Sequence, residues 1–200
     1  MTGPSALQYD TYYHIFNRGV NKENIFFEEC NYPFFLDLMK KHIEPVADLF
    51  AFCLLKNHFH LLVRIKAEEE ISTEQIVPQT VNQNPSACFS NFFNAYAKAI
   101  NKAYSRTGSL FQHPFHRAEV TSDPQFIAVV QYIHQNPQKH GFIDDFRNWP
   151  YSSYESLTNL KRTWLKRDVV HEWFGGCDAF IRQSEEWARE VKKLVDIQVE

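Results

Sequence analysis

Nowhere does this chain hold an apolar run long enough to cross a bilayer, so a helical membrane span is not expected. Residues Met1 to Ser5 lack a basic segment followed by an apolar one, and no secretory leader is read there. Cysteine is scarce: Cys30, Cys53, Cys88 and Cys177 are widely separated and form no C-x-x-C pair. That argues against a zinc knuckle or a disulfide scaffold and fits a reducing, cytoplasmic setting. An excess of positive charge is missing too. With a formal net charge of -3 and a pI near 6.3, any nucleic-acid partner must be held by a local patch. Neither a phosphate-cradling glycine loop nor a carboxylate cluster of binuclear type is visible, which leaves a metal-dependent hydrolase of small phosphoesters with little support.

What is abundant is apolar and aromatic side chains, 44% and 16% of the 200 residues. That is enough to bury one sizeable core. A single domain is expected over residues 1–155, with a helical extension over 156–200 packed on or beside it. Tyr12 to Gly19 alternates like a strand and ends in a polar turn carrying Arg18, Asn21 and Lys22. Asn31 to His42 carries Phe34, Phe35, Leu38 and Met39 at helical spacing. Leu49–Leu55 and His58–Ile65 read as a hairpin around Lys56-Asn57. The segment 66–85 is acidic and polar, without periodicity, and reads as a loop insertion.

Ser86 to Arg106 is a strong helix pattern, with Phe89, Phe93, Tyr96, Ile100 and Ala103 in one stripe and Lys98, Lys102 and Arg106 in a basic row. Phe115–Thr121 reads as a further strand. Ser122-Asp-Pro124 starts a helix expected to stop near Asn136-Pro137, because proline disfavours helix in the residue before it. An aromatic loop, Trp149 to Tyr154, and a helical tail around Ser184 to Val195 follow. This order implies an α+β fold: a ferredoxin-like two-layer sandwich, its antiparallel sheet covered by helices mainly on one face. If helices covered that face only, the other could be a binding surface.

His58 and His60 share one face of their strand, opposite Phe59, Leu61, Val63 and Ile65, and two imidazoles so placed can hold one divalent ion. Alone, H-x-H also fits ordinary polar histidines. The Asp123–Asn136 helix carries Phe126, Val129, Val130 and Ile133 as its apolar stripe, and about 100° of rotation per residue sets Tyr132 and Asn136 together beside it, with His134 on the opposite flank. Tyr132 is then a candidate nucleophile and Asn136 an oxygen donor suited to Mg²⁺ or Mn²⁺. Equally, Tyr132 can pack at the core margin while Asn136 caps the helix.

Five segments, in this order, carry a family resemblance: Phe16-Asn-Arg-Gly-Val-Asn-Lys-Glu-Asn-Ile-Phe26, Lys56-Asn-His-Phe-His-Leu-Leu-Val63, Asn101 to Gln112, Tyr132-Ile-His-Gln-Asn-Pro-Gln-Lys-His-Gly141, and Trp149-Pro-Tyr-Ser-Ser-Tyr154. From about Tyr12 to Tyr154 the chain resembles the IS200-like transposases, single-tyrosine nucleases with a His-hydrophobic-His motif. Within them it is most similar to those associated with repetitive extragenic palindromes. His171 to Gly176 also looks like tails of this group.

The resemblance implies His58, His60 and Asn136 as metal ligands and Tyr132 as the nucleophile. It implies cleavage and rejoining of single-stranded, hairpin-bearing DNA through a 5′-phosphotyrosine, with Mg²⁺ or Mn²⁺ as cofactor, by a monomer or a homodimer. A bacterial cytoplasmic, nucleoid-associated enzyme is the corresponding expectation. Candidate DNA contacts are Arg18, Lys22, Lys56, Lys98, Lys102, Arg106, Arg117 and Lys139, with phosphate contacts concentrated near Arg18, Lys56 and Arg117. The helical row among them also fits an ordinary solvated face. The competing reading is a non-catalytic module that binds structured nucleic acid on a transposase scaffold.

Overall fold

The computed structural model describes residues 6–71 and 84–197, so most of the expected 66–85 insertion lies outside the described residues. Alternating burial along Tyr12–Arg18 makes β1, and the nearly continuous apolar runs of Ala47–Leu55 and His58–Ile65 make β2 and β3. A short β4, His116–Val120, completes one antiparallel sheet in the order β2-β3-β1-β4. Helix α1 (Asn31–Ile43) joins β1 to β2, and α2 (Pro85–Ala103) precedes β4. This is the β-α-β-β-α-β order of the split βαβ motif.

The two helices of that motif cover one face of the sheet, where Phe59 meets Phe35 of α1 and Phe93 of α2. The opposite face, which could have been open, is partly covered by α3 (Asp123–Lys139) and α5 (Arg167–Phe174), and α6 (Cys177–Ile197) packs on those helices. Phe126 of α3 packs on Tyr12, Phe50 and Trp173, with ring centroids 5.8, 5.6 and 4.2 Å away. These aromatics lie far apart in the chain, so only the folded register shows that they form a second core layer. Phe174 and Phe180 of the extension join the same core cluster as the sheet.

Several elements differ from the sequence reading. Helix α2 stops at Ala103 because Ser105 turns left-handed (φ 51°); Arg106 therefore lies beyond the helix. Helix α3 continues through Pro137 to Lys139. Proline so near the C-terminus removes one backbone hydrogen bond, while the last turn keeps His140 N–H donating to Asn136 O at 3.0 Å and Phe142 N–H to Pro137 O at 2.9 Å. The aromatic loop is more ordered than expected: Tyr154–Thr158 is a short helix, α4, and Ser152 bridges Cys53 on the outer edge of β2. No helix among the described residues is long and apolar enough to cross a membrane.

The turn after β1 depends on Gly19. Its φ of -62° suits any residue, but a Cβ there would lie 2.1 Å from the Glu23 carbonyl oxygen. Gly19 N–H donates to Asn57 O at 2.9 Å, which docks the Arg18–Lys22 turn onto the hairpin loop that precedes the histidines.

Candidate active site

Antiparallel pairing of β1 with β3 sets Phe16 opposite His60 and His14 opposite Leu62, so His14, Phe16, His58 and His60 share the face beneath α3. Helix α3 crosses above them and carries Tyr132, whose ring centroid is 5.4 Å from that of His60 and 5.8 Å from that of His14. A cavity of about 360 Å³ results, lined by His58, His60, Phe16, Arg18, Tyr132 and His140 among others. The proposed nucleophile and both histidines thus come from a single chain.

The imidazoles are held in defined roles. Asn57 donates its amide to Lys22 O at 3.3 Å, which turns its Oδ1 toward His58 Nδ1, 2.7 Å away. An oxygen can only accept, so Nδ1 of His58 carries the proton and Nε2 keeps its lone pair. His60 Nδ1 lies 2.9 Å from His14 Nε2. Burial pushes His58 and His14 down to about 4 and His60 well below its ordinary value. For His58 the charges of His140 and Arg18 act in the same direction. All three rings are therefore neutral at pH 7, the state in which imidazole binds metals.

Asn136 is fully buried. Its Nδ2 donates to Tyr132 O at 2.7 Å, while its Oδ1 meets no donor in hydrogen-bond geometry among the described residues. The same side chain is close enough to His58 to favour that ring's charged form. An orphaned amide oxygen close to the neutral His58 imidazole fits a cation's donor set. No three His, Cys, Asp or Glu side chains among the described residues converge to hold a metal, so these mixed donors are the ones on offer. Continuation of α3 past Pro137 has a local effect: Lys139 Nζ stands 5.1 Å from the Tyr132 ring centroid, and His140 reaches within 5.0 Å of the His58 ring centroid.

The candidate DNA-contacting cations divide. Arg18 lines the cavity, and its Nε is buried without an acceptor among the described residues; Lys22 and Lys56 are exposed on the turns beside it. Lys98 and Lys102 are exposed on α2, in the layer across the sheet. Arg106 pairs with Glu23 at 2.9 Å and lies against Phe27. Arg117 is opposite Ile15 in register and so points to the α2 side, over the Phe115 ring at 4.1 Å; its neighbour His116, stacked on Phe16 at 5.1 Å, is the β4 residue that faces the cavity. Sequence reasoning passed over His14. Its only signal was its place in the Tyr12-x-His14-x-Phe16 alternation, and the contact with His60 spans 46 positions.

Residues 7–136, more than half of the chain, match the family described as Transposase IS200 like. The chain belongs to the IS200-like transposase family. A REP-associated tyrosine transposase of Haemophilus influenzae is 29% identical to it over 129 residues, which make up 63% of this chain and 65% of that protein. This IS200-like chain therefore matches just under two thirds of that relative's length. Among solved structures, that of a REP-associated tyrosine transposase bound to a REP hairpin superposes with a TM-score of 0.59 at 15% identity, covering 78% of this chain and 83% of the other. At that identity the match speaks for the fold.

Proposed function

We propose that this IS200-like transposase cleaves and rejoins single-stranded DNA next to a hairpin, with Tyr132 as the nucleophile and His58, His60 and Asn136 as ligands of a divalent cation, Mg²⁺ or Mn²⁺. The observation that carries the proposal is the convergence of Tyr132 with two neutral imidazoles at one cavity, backed by the orphaned Asn136 oxygen. A cation bound there supplies charge stabilisation at the non-bridging oxygens of the scissile phosphate.

The protein's own groups do the rest. Tyr132 gives up its phenolic proton and its oxygen forms a bond to phosphorus; the bond from phosphorus to the 3′-oxygen breaks, and that oxygen leaves as a hydroxyl on gaining a proton. The 5′-phosphotyrosine retains the phosphodiester's energy, so attack by a 3′-hydroxyl rejoins a strand and frees Tyr132. Arg18, whose buried Nε–H at the cavity meets no acceptor among the described residues, is placed to bind a backbone phosphate. Lys22, Lys56 and Lys139 add positive charge around the same opening. A hairpin as the DNA's structured part is inferred from the solved relative with a bound REP hairpin. The setting that goes with this activity is the bacterial cytoplasm, at the nucleoid when DNA is bound.

Incubation with hairpin-bearing single-stranded oligonucleotides and Mn²⁺, followed by a denaturing gel, tests the proposal. A covalent protein–DNA adduct is expected for the unaltered protein, none for Tyr132→Phe, and at least about a hundredfold less for His58→Ala, in line with losses on removing catalytic electrostatic groups. Binding without an adduct on any such substrate would favour the non-catalytic module. Cleavage that persists in Tyr132→Phe would make water the nucleophile.

A further inference from the structure

We infer that His14 is a positioning residue for His60: it holds Nδ1 of that ring and so presents His60 Nε2 to the cation. The inference rests on the metal site proposed above. A neutral imidazole has one N–H and one lone pair. Between His60 Nδ1 and His14 Nε2, 2.9 Å apart, one ring must donate and the other accept. If His14 donated, His60 would carry its own proton on Nε2 and have no lone pair for a ligand. If His60 donates from Nδ1, Nε2 is left as the binding atom, and only this arrangement serves the cation.

The same logic is already built at the partner ligand, where Asn57 accepts from His58 Nδ1. Each ligand histidine therefore has its own clamp, one from the adjacent residue and one from the neighbouring strand. Geometry supports the second clamp: the His14 and His60 rings lie edge to edge, 27° from coplanar with centroids 5.1 Å apart, as an in-plane N–H···N bond requires, and Phe16 lies close to both. His14 itself is not free to ligate through Nε2, because that atom is spent on His60. Partners of this kind, which orient a metal-binding imidazole through its other nitrogen, typically change metal affinity by about 10- to 100-fold when removed.

The experiment uses the full chain, unaltered and as His14→Leu, His14→Gln and His58→Ala. Long-range ¹H–¹⁵N spectra of ¹⁵N-histidine protein without metal read the His60 tautomer directly, and Mn²⁺ titration followed by electron paramagnetic resonance reads affinity. We expect His60 as the Nδ1–H tautomer in the unaltered protein and in His14→Gln, whose side-chain oxygen can accept in place of Nε2. In His14→Leu we expect that preference lost, with Mn²⁺ binding weakened about 10- to 100-fold; in His14→Gln, binding within a few-fold of the unaltered protein. A His60 Nε2–H tautomer in the unaltered protein would overturn the inference, and that reading needs no variant to fold. Unchanged tautomer and affinity in His14→Leu would overturn it too, while leaving the metal site intact. By contrast, Mn²⁺ binding by the unaltered protein no tighter than by His58→Ala would refute the metal site, and with it the role given to His14.

Discussion

Burial of neutral histidine shapes both the site and the stability of this protein. His134 is fully buried and its Nε2 lies 2.7 Å from Ser153 Oγ; burial pushes it down to about 3. In the unfolded chain it takes up a proton below its ordinary value near 6.5, whereas the folded chain resists until about 3. Between those values the unfolded state binds more protons, so stability falls as pH is lowered from 6.5. One such group costs about 1.4 kcal/mol per pH unit, and His14, His58 and His60 act in the same direction. Denaturant titrations at pH 7 and pH 5 should therefore show the protein less stable at the lower pH by at least about 2 kcal/mol. Equal stability at the two values would show that the buried rings gain partners on protonation. That His58 and His60 share a strand face, and that Tyr132 and Asn136 share a helix face, was readable as spacing within single elements; the roles proposed for them came from the family resemblance. The contact of His14 with His60 was not readable, because it depends on how β1 registers against a strand 46 positions away.

Secondary-structure elements were legible wherever one periodicity dominated, and β3 matches its expected span, His58–Ile65. Two departures matter for function, and both are decided in the last turn of a helix. Pro137 reads as a stop, yet α3 runs on to Lys139, held by hydrogen bonds from His140 and Phe142, and that extra turn delivers Lys139 to Tyr132. The 98-102-106 basic row reads as one helical stripe, yet α2 ends before Arg106 and its exposed lysines face away from the histidines. Gly19 shows the opposite situation, a turn that tolerates a single residue type. Gly19→Ala would drive a methyl group against the Glu23 carbonyl oxygen and should destabilise the chain by about 1–3 kcal/mol, lowering the midpoint of thermal unfolding by several degrees. An unchanged midpoint would mean that the turn can open without cost.

At the scale of the whole molecule, the sheet, α1 and α2 follow the α+β reading, while α3 and α5 fill much of the other face, with α6 packed on them. A chain read one segment at a time does not show which of its apolar helices will claim that face. The consequence is that Tyr132 sits over the histidines of its own chain. If the proposed site works within one chain, mixing Tyr132→Phe protein with His58→Ala protein should restore no adduct formation. Recovery toward a quarter of the activity of the unaltered protein or more would mean that copies of the chain exchange these elements. The central claim is the covalent one, and peptide mapping of nuclease-trimmed adduct by mass spectrometry tests it most directly. The predicted result is a nucleotide 5′-phosphate on the peptide holding Tyr132, localised to that residue. A nucleotide on any other side chain, or cleaved DNA with no modified peptide, would contradict it.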